Sequence, residues 1–202
     1  MTGVTQVLGG LLWAVALAVL VAGLAFAYHW LRRAVPAFFR LRGERVVICP
    51  ETRRPAGVAV DAGHAAATAF RREPELRLSS CSRWPEKADC GQECLRQIAA
   101  APEDCLVRTM LTRWYTGKSC LYCGKPFATI HWHDHKPALL DRDGRTMEWE
   151  QVAAEDVPDA LGRDKPVCWN CHIAETFRRM HPELVVDRTL RPTEERGGQP
   201  ST

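Results

Sequence analysis

The sequence predicts an α+β protein in which one long apolar helix at the N-terminus carries a small, cysteine-rich domain. Three observations lead there. Residues 1–31 contain no charged side chain, while all 27 Lys and Arg and all 24 Asp and Glu fall in 32–202. Nine cysteines stand at 49, 81, 90, 94, 105, 120, 123, 168 and 171, and four of them form two CxxC pairs. Beyond residue 46, short alternating runs bounded by Pro and Gly are interleaved with stretches of helical spacing. A chain that is 46% hydrophobic and 25% charged is neither disordered nor collagen-like. The odd cysteine count and the paired spacing argue against a simple disulfide framework.

The first element is the run Val7 to Leu31, 25 residues without a charge, against the roughly 20 that a helix needs to cross a hydrocarbon core. Tyr28 and Trp30 stand at one end and Trp13 near the other, where interfacial aromatics belong. The run lacks a basic n-region and is too long for a cleaved signal peptide, although Ala25-Phe26-Ala27 has the form of a cleavage site. Residues 1–31 are therefore expected to be a transmembrane helix. Arg32, Arg33, Arg40, Arg42 and Arg45 follow it, so the positive-inside rule puts the N-terminus outside and the rest in the cytoplasm of an inner or plasma membrane. Residues 32–45 read as a basic juxtamembrane segment whose Arg, Val, Phe and Leu suit an anionic leaflet.

Charge separates the kinds of partner. Residues 1–45 hold five Arg against one Glu, net +4, whereas 46–202 carry 22 basic and 23 acidic side chains, net −1. The basicity belongs to the membrane edge, and a near-neutral domain without a basic stripe does not favour nucleic acid.

Residues 46–105 form an expected first lobe. VVICPETRRPAGVAV reads as a hairpin, AGHAAATAFRR as a helix, LRLSSCSRWPE as a short strand and loop, and CGQECLRQIAAA as a helix ended by Pro102. A second lobe follows over 106–190. CLVRTMLTRWY has helical spacing and stops at Thr116-Gly117, and CLYCGKPF is a tight turn. FATIHWHDH reads as an alternating strand, DRDG as a turn and RTMEWEQV as a second strand. AAEDVPDALGRDK reads as a polar linker, and PVCWNCH opens a helix that ends at Pro182. Residues 191–202 read as a disordered tail.

Two cysteines separated by two residues in a tight turn present both sulfurs to one point. Cys120 and Cys123 do this before Gly124, and Cys168 and Cys171 repeat the spacing 45 residues on. Four thiolates so arranged suit tetrahedral Zn²⁺ in a closed, structural site, and cytoplasmic thiols stay reduced. Cys49, Cys81, Cys90 and Cys94 make a candidate second metal site, with Cys90 and Cys94 on one face of a helix and Cys105 or His64 as substitutes. Zinc is the expected occupant there and an iron–sulfur cluster the alternative. On the expected strand, His131, His133 and His135 share one face.

The order of tight turn, hairpin and CxxC at a helix start resembles a treble-clef zinc finger over about residues 118–182. Within that class the segments Cys120-Leu121-Tyr122-Cys123-Gly124, Asp134-His135-Lys136-Pro137 and Cys168 to His172 resemble the HNH endonucleases. That resemblance implies His135 as a general base, with Asp134 and His172 on a divalent ion at a scissile phosphate. The Asn of the family's middle motif has no counterpart in EDVPDALGRDK.

The residues point first to a membrane-anchored zinc-binding interaction or assembly module, non-enzymatic, working as an accessory component with a protein partner in a membrane complex. Two alternatives stand beside it. One is an electron carrier, with c-type haem at Cys168-Trp169-Asn170-Cys171-His172 or an iron–sulfur cluster in the first lobe. The other is an HNH-like metal-dependent nuclease.

Overall fold

The computed structural model describes residues 2–70, 73–87 and 89–185. The expected tail at 191–202 lies outside the described residues. Helix α1 runs unbroken from Thr2 to Leu41, passing through Pro36. Its stretch Gly9–Leu41 is long and apolar enough to cross a membrane, and none of its most apolar window is buried against the chain. No break separates a spanning part from a juxtamembrane part.

The last turns of α1 are built into the domain. Ala34 and Leu41 are buried, and Leu41 belongs to the first core. Arg33 Nη1 donates to the Phe70 carbonyl at 3.2 Å. The segment 32–45 is thus partly covered by protein, and Arg45, expected at a lipid surface, is fully buried. The physical reason is the end of the helix. The last carbonyls of an α-helix lack intrahelical donors, and the Arg45 guanidinium supplies them, giving hydrogen bonds to the carbonyls of Leu41, Gly43 and Arg40.

The first sheet is antiparallel in the order β1 (Glu44–Ile48), β2 (Pro55–Val60), β3 (Leu78–Cys81). Period-two alternation gives it two dry faces. Val47, Ala56, Val58 and Val60 enter one core with Leu41, Ala65 and Ile98. Val46, on the opposite face, enters a second core with Leu111, Tyr115, Leu139 and Trp149. Gly57 faces the same way, and a Cβ there would lie 2.9 Å from that of Ala154. The two lobes therefore pack on opposite faces of one sheet. Helices α2 (Ala62–Thr68) and α3 (Leu95–Ala100) belong to the first lobe.

Helix α4 (Val107–Tyr115) opens the second lobe and ends before Gly117 at φ +75°. A second antiparallel sheet places β4 (Ala138–Leu140) between β5 (Thr146–Glu148) and β6 (Lys165–Val167). Helix α5 (Val157–Arg163) precedes β6, and α6 (Trp169–Met180) follows it.

Three expectations are corrected. FATIHWHDH is not a strand: residues 127–137 are irregular, and His135 sits at φ +50°. Its apolar members turn inward individually, Phe127, Ile130 and Trp132 against the second core, with Trp132 Nε1 donating to Thr112 Oγ1. Sheet pairing starts only at Ala138, so the three histidines share no strand face. AAEDVPDALGRDK is not a linker but a 3₁₀ turn (Ala154–Asp156), α5 and the start of β6, because Val157 and Ala160 are buried. Cys90 is not on a helix with Cys94: α3 begins only at Leu95, with Cys94 as its N-cap.

Candidate metal centre

Cys120 and Cys123 lie on a tight turn after α4. The amide of Cys120 donates to the Lys125 carbonyl and that of Gly124 to the Cys120 carbonyl, each at 2.9 Å. Gly124 at φ +70° closes the turn in a left-handed conformation that Gly adopts without Cβ strain. Cys168 caps the N-terminus of α6 in extended conformation, and His172 N–H returns to its carbonyl at 2.9 Å. One turn further along, Cys171 points to the same place.

Two contacts fix these pieces together. Leu121 N–H donates to the Pro166 carbonyl of β6 at 2.9 Å, and Cys168 N–H is directed at Cys120 Sγ at 3.3 Å. The sulfurs of Cys120, Cys123, Cys168 and Cys171 all lie within 4.8 Å of one another. Cys123 Sγ and Cys168 Sγ stand 3.8 Å apart. A tetrahedron with metal–sulfur bonds of about 2.3 Å has an edge of about 3.8 Å. The four sulfurs thus fit a metal ion, with Cys120 and the neighbouring Ala138 and Val167 closing a dry wall behind it.

Electrostatics favour a cation there. Burial alone would push the Cys120 thiol up, but the amides of Cys123, Cys168 and Tyr122 directed at its sulfur hold it down at about 6. Burial and the neighbouring sulfurs push Cys171 upward. Cys120 is thus the thiol held nearest its ligand form, and a bound metal would deprotonate the others.

The other expected residues are placed differently. His172 is buried, its Nε2 3.7 Å from Glu148 Oε1 and its Nδ1 without a partner. His135 and Asp134 are exposed and pair with each other, Nδ1 to Oδ1 at 2.8 Å. The Trp169 ring lies beside both His135 and His172, at 6.3 and 6.0 Å between centroids. Among the described residues, no group of three or more ligands converges other than the four cysteines. Asp134 and His135 are thus on the surface and His172 is buried, and none of the three belongs to the converging group. Both cysteines of the CxxCH converge with Cys120 and Cys123.

Sequence reading missed the groups that support this centre. Tyr115 is fully buried, donates to the Ala138 carbonyl at 2.6 Å and accepts from Trp149 Nε1 at 2.8 Å. It joins α4, β4 and the turn after β5 behind the metal site. A Tyr at the last position of an amphipathic helix is the only signal the sequence offers for it. In comparisons with known proteins, no family model, no curated protein and no solved structure matches this chain.

Proposed function

We propose that the chain is a membrane-held docking module, stabilised by zinc in a treble-clef-like arrangement and serving as an accessory component of a larger membrane complex. Zinc is the occupant because four thiolates at tetrahedral spacing leave no open coordination position, the mark of a structural site. Helix α1 anchors the module, and the positive-inside rule applied to Arg32, Arg33, Arg40 and Arg42 at its exposed end supports a cytoplasmic domain.

The observation that carries the reading is exposed apolar surface on the helix that bears Cys171. Ile173, Phe177 and Met180 form one exposed row on α6, on the side of that helix turned away from Cys171. Leu121 and Tyr122 of the cysteine-bearing turn are exposed as well. Among the described residues these side chains stay exposed, and contiguous exposed apolar surface marks interaction sites. The four cysteines hold the turn against α6, so the metal keeps the row in shape. The anchor confines the search for a partner to the membrane.

The test is native-size analysis of the full-length chain in gently solubilised membranes. The chain is expected to migrate in an assembly larger than itself. Phe177→Asp combined with Met180→Asp should release it while the metal content stays unchanged. Migration as a free monomer in wild-type membranes would remove the reading.

A further inference from the structure

The first lobe holds a second group of thiols that the docking function does not use. Cys49 follows β1, Cys81 ends β3, Cys90 sits in the loop before α3, and Cys94 caps α3. These four separate positions line one half-open cavity of about 290 Å³, together with Trp84 and Val58. None of the four is in a disulfide.

The lobe also aims backbone donors at these sulfurs. Gln92, at φ +53°, directs its N–H to Cys90 Sγ at 3.4 Å. The Cys49 carbonyl accepts from Arg53 at 2.8 Å and its amide donates to the Arg54 carbonyl at 2.9 Å. That closes a turn whose Thr52 amide is directed at the Cys49 sulfur. The same arrangement, a tight turn with amides aimed at sulfur, builds Cys120 into the second-lobe centre. A neutral thiol is a weak acceptor, and donors directed at it are matched to thiolate.

We propose that Cys49, Cys81, Cys90 and Cys94 form a second metal–thiolate centre, distinct from the one in the second lobe. A four-sulfur donor set selects a thiophilic metal, zinc or iron with sulfide. The sulfurs line a cavity instead of converging within 4.8 Å as the second-lobe four do. A metal draws the Cys90 loop inward or fills the cavity as a cluster. Cys94 is buried at the back of this cavity. Cys105 lies apart, its Sγ 3.9 Å from the Gln97 carbonyl, and stays a free thiol.

The centre does not depend on the docking reading, and its test separates the two. Full-length protein is purified without air in detergent, and zinc, iron and acid-labile sulfide are counted per chain. Cysteines are then labelled in the native protein with a small alkylating reagent and located by mass spectrometry. The expected result is metal beyond one ion per chain, with Cys49, Cys81 and Cys90 protected and Cys105 labelled. Protection of those three should vanish when a chelator strips the metal. Two zinc ions per chain identify a zinc site, and iron with sulfide and a visible absorbance band identifies a cluster. Cys90→Ser with Cys94→Ser should remove the first-lobe metal and leave the second-lobe zinc. One metal ion per chain with Cys49, Cys81 and Cys90 labelled as fast as Cys105 would overturn the proposal. Protection that persists after complete metal removal would overturn it too, and neither of these readouts needs a variant to fold.

Discussion

Arg45 closes the end of α1, its Nη1 standing 2.6 Å from the carbonyl oxygen of Leu41. The same side chain sits at the start of β1, whose Val46 N–H donates to the Cys105 carbonyl at 2.8 Å. One buried guanidinium therefore sets the angle at which the apolar helix leaves the domain. Arg45→Met keeps the stem and removes the donors, leaving three carbonyls at a helix end without them. A loss of about 3 kcal/mol is expected. Denaturant unfolding of the detergent-solubilised chain measures it. Arg45→Lys should recover only part, because an ammonium cannot span the same carbonyls.

Tyr115 provides a second measure of the core behind the metal. Its hydroxyl is both donor and acceptor, to Ala138 and from Trp149. Tyr115→Phe preserves the ring contacts with Phe127 and Trp149 and strands a buried indole N–H. The cost of such stranded groups is about 2 kcal/mol. The midpoint of chemical unfolding should fall with an unchanged slope, while the metal content per chain stays the same.

Gly57 reports on the packing of the two lobes. A Cβ at this position would lie 2.6 Å from Glu155 Oε2 and 2.9 Å from Ala154 Cβ. The carboxylate end can swing aside, but Ala154 is buried and cannot. Gly57→Ala should therefore destabilise by about 1–3 kcal/mol through overpacking. Limited proteolysis is expected to cut first in the turn around Ala154. Unchanged stability would mean that this turn does not press on the sheet.

These residues also show what a linear reading can and cannot recover. The four second-lobe cysteines were legible because CxxC spacing is local geometry, and two tight turns need no knowledge of the rest. The hairpin in the first lobe was legible for the same reason, from Pro and Gly at its bend. The burial of Arg45 was not, because Arg after an apolar run reads as a membrane flank and only the helix end in three dimensions claims it. The histidine run alternates like a strand, yet it pairs with none, and its Trp and Phe are half-buried one at a time. Cys90 shows the limit of helical spacing. Positive φ at Gln92 breaks the helix between two cysteines that the sequence places four apart.

Removal of metal tests the second-lobe centre directly. This lobe has three-residue strands and a core built around Tyr115 and Trp149, so an ion held by the four cysteines would supply much of its folding energy. Structural zinc binding is worth on the order of 10 kcal/mol near neutral pH. Cys171→Ser, or excess chelator, should therefore make residues around α6 sensitive to protease. The first lobe, with its own core, should resist longer. Equal resistance in both lobes would show that sheet and helix packing suffices without the ion.

Acid should release the second-lobe metal in a definite direction. The Cys120 thiol in the metal-free protein is held at about 6, below its ordinary value of 9.0. A folded value below the unfolded one contributes stability that is complete above about pH 9 and lost as the pH falls through about 6. Cys120 thus stays in its ligand form through neutral pH, while Cys168 and Cys171, both pushed upward, exchange a bound metal for protons as the pH falls. Metal measured with a colorimetric indicator during acid titration should be released progressively as the pH is lowered, with release complete once Cys120 is protonated as well. Blocking the Cys168 amide with Cys168→Pro would be ambiguous, because it also removes a ligand. The cleaner variant is Tyr122→Pro, which deletes one of the amides directed at Cys120 and keeps all four sulfurs. Release should then be complete at higher pH, and an unshifted curve would show that this amide does not hold the thiolate.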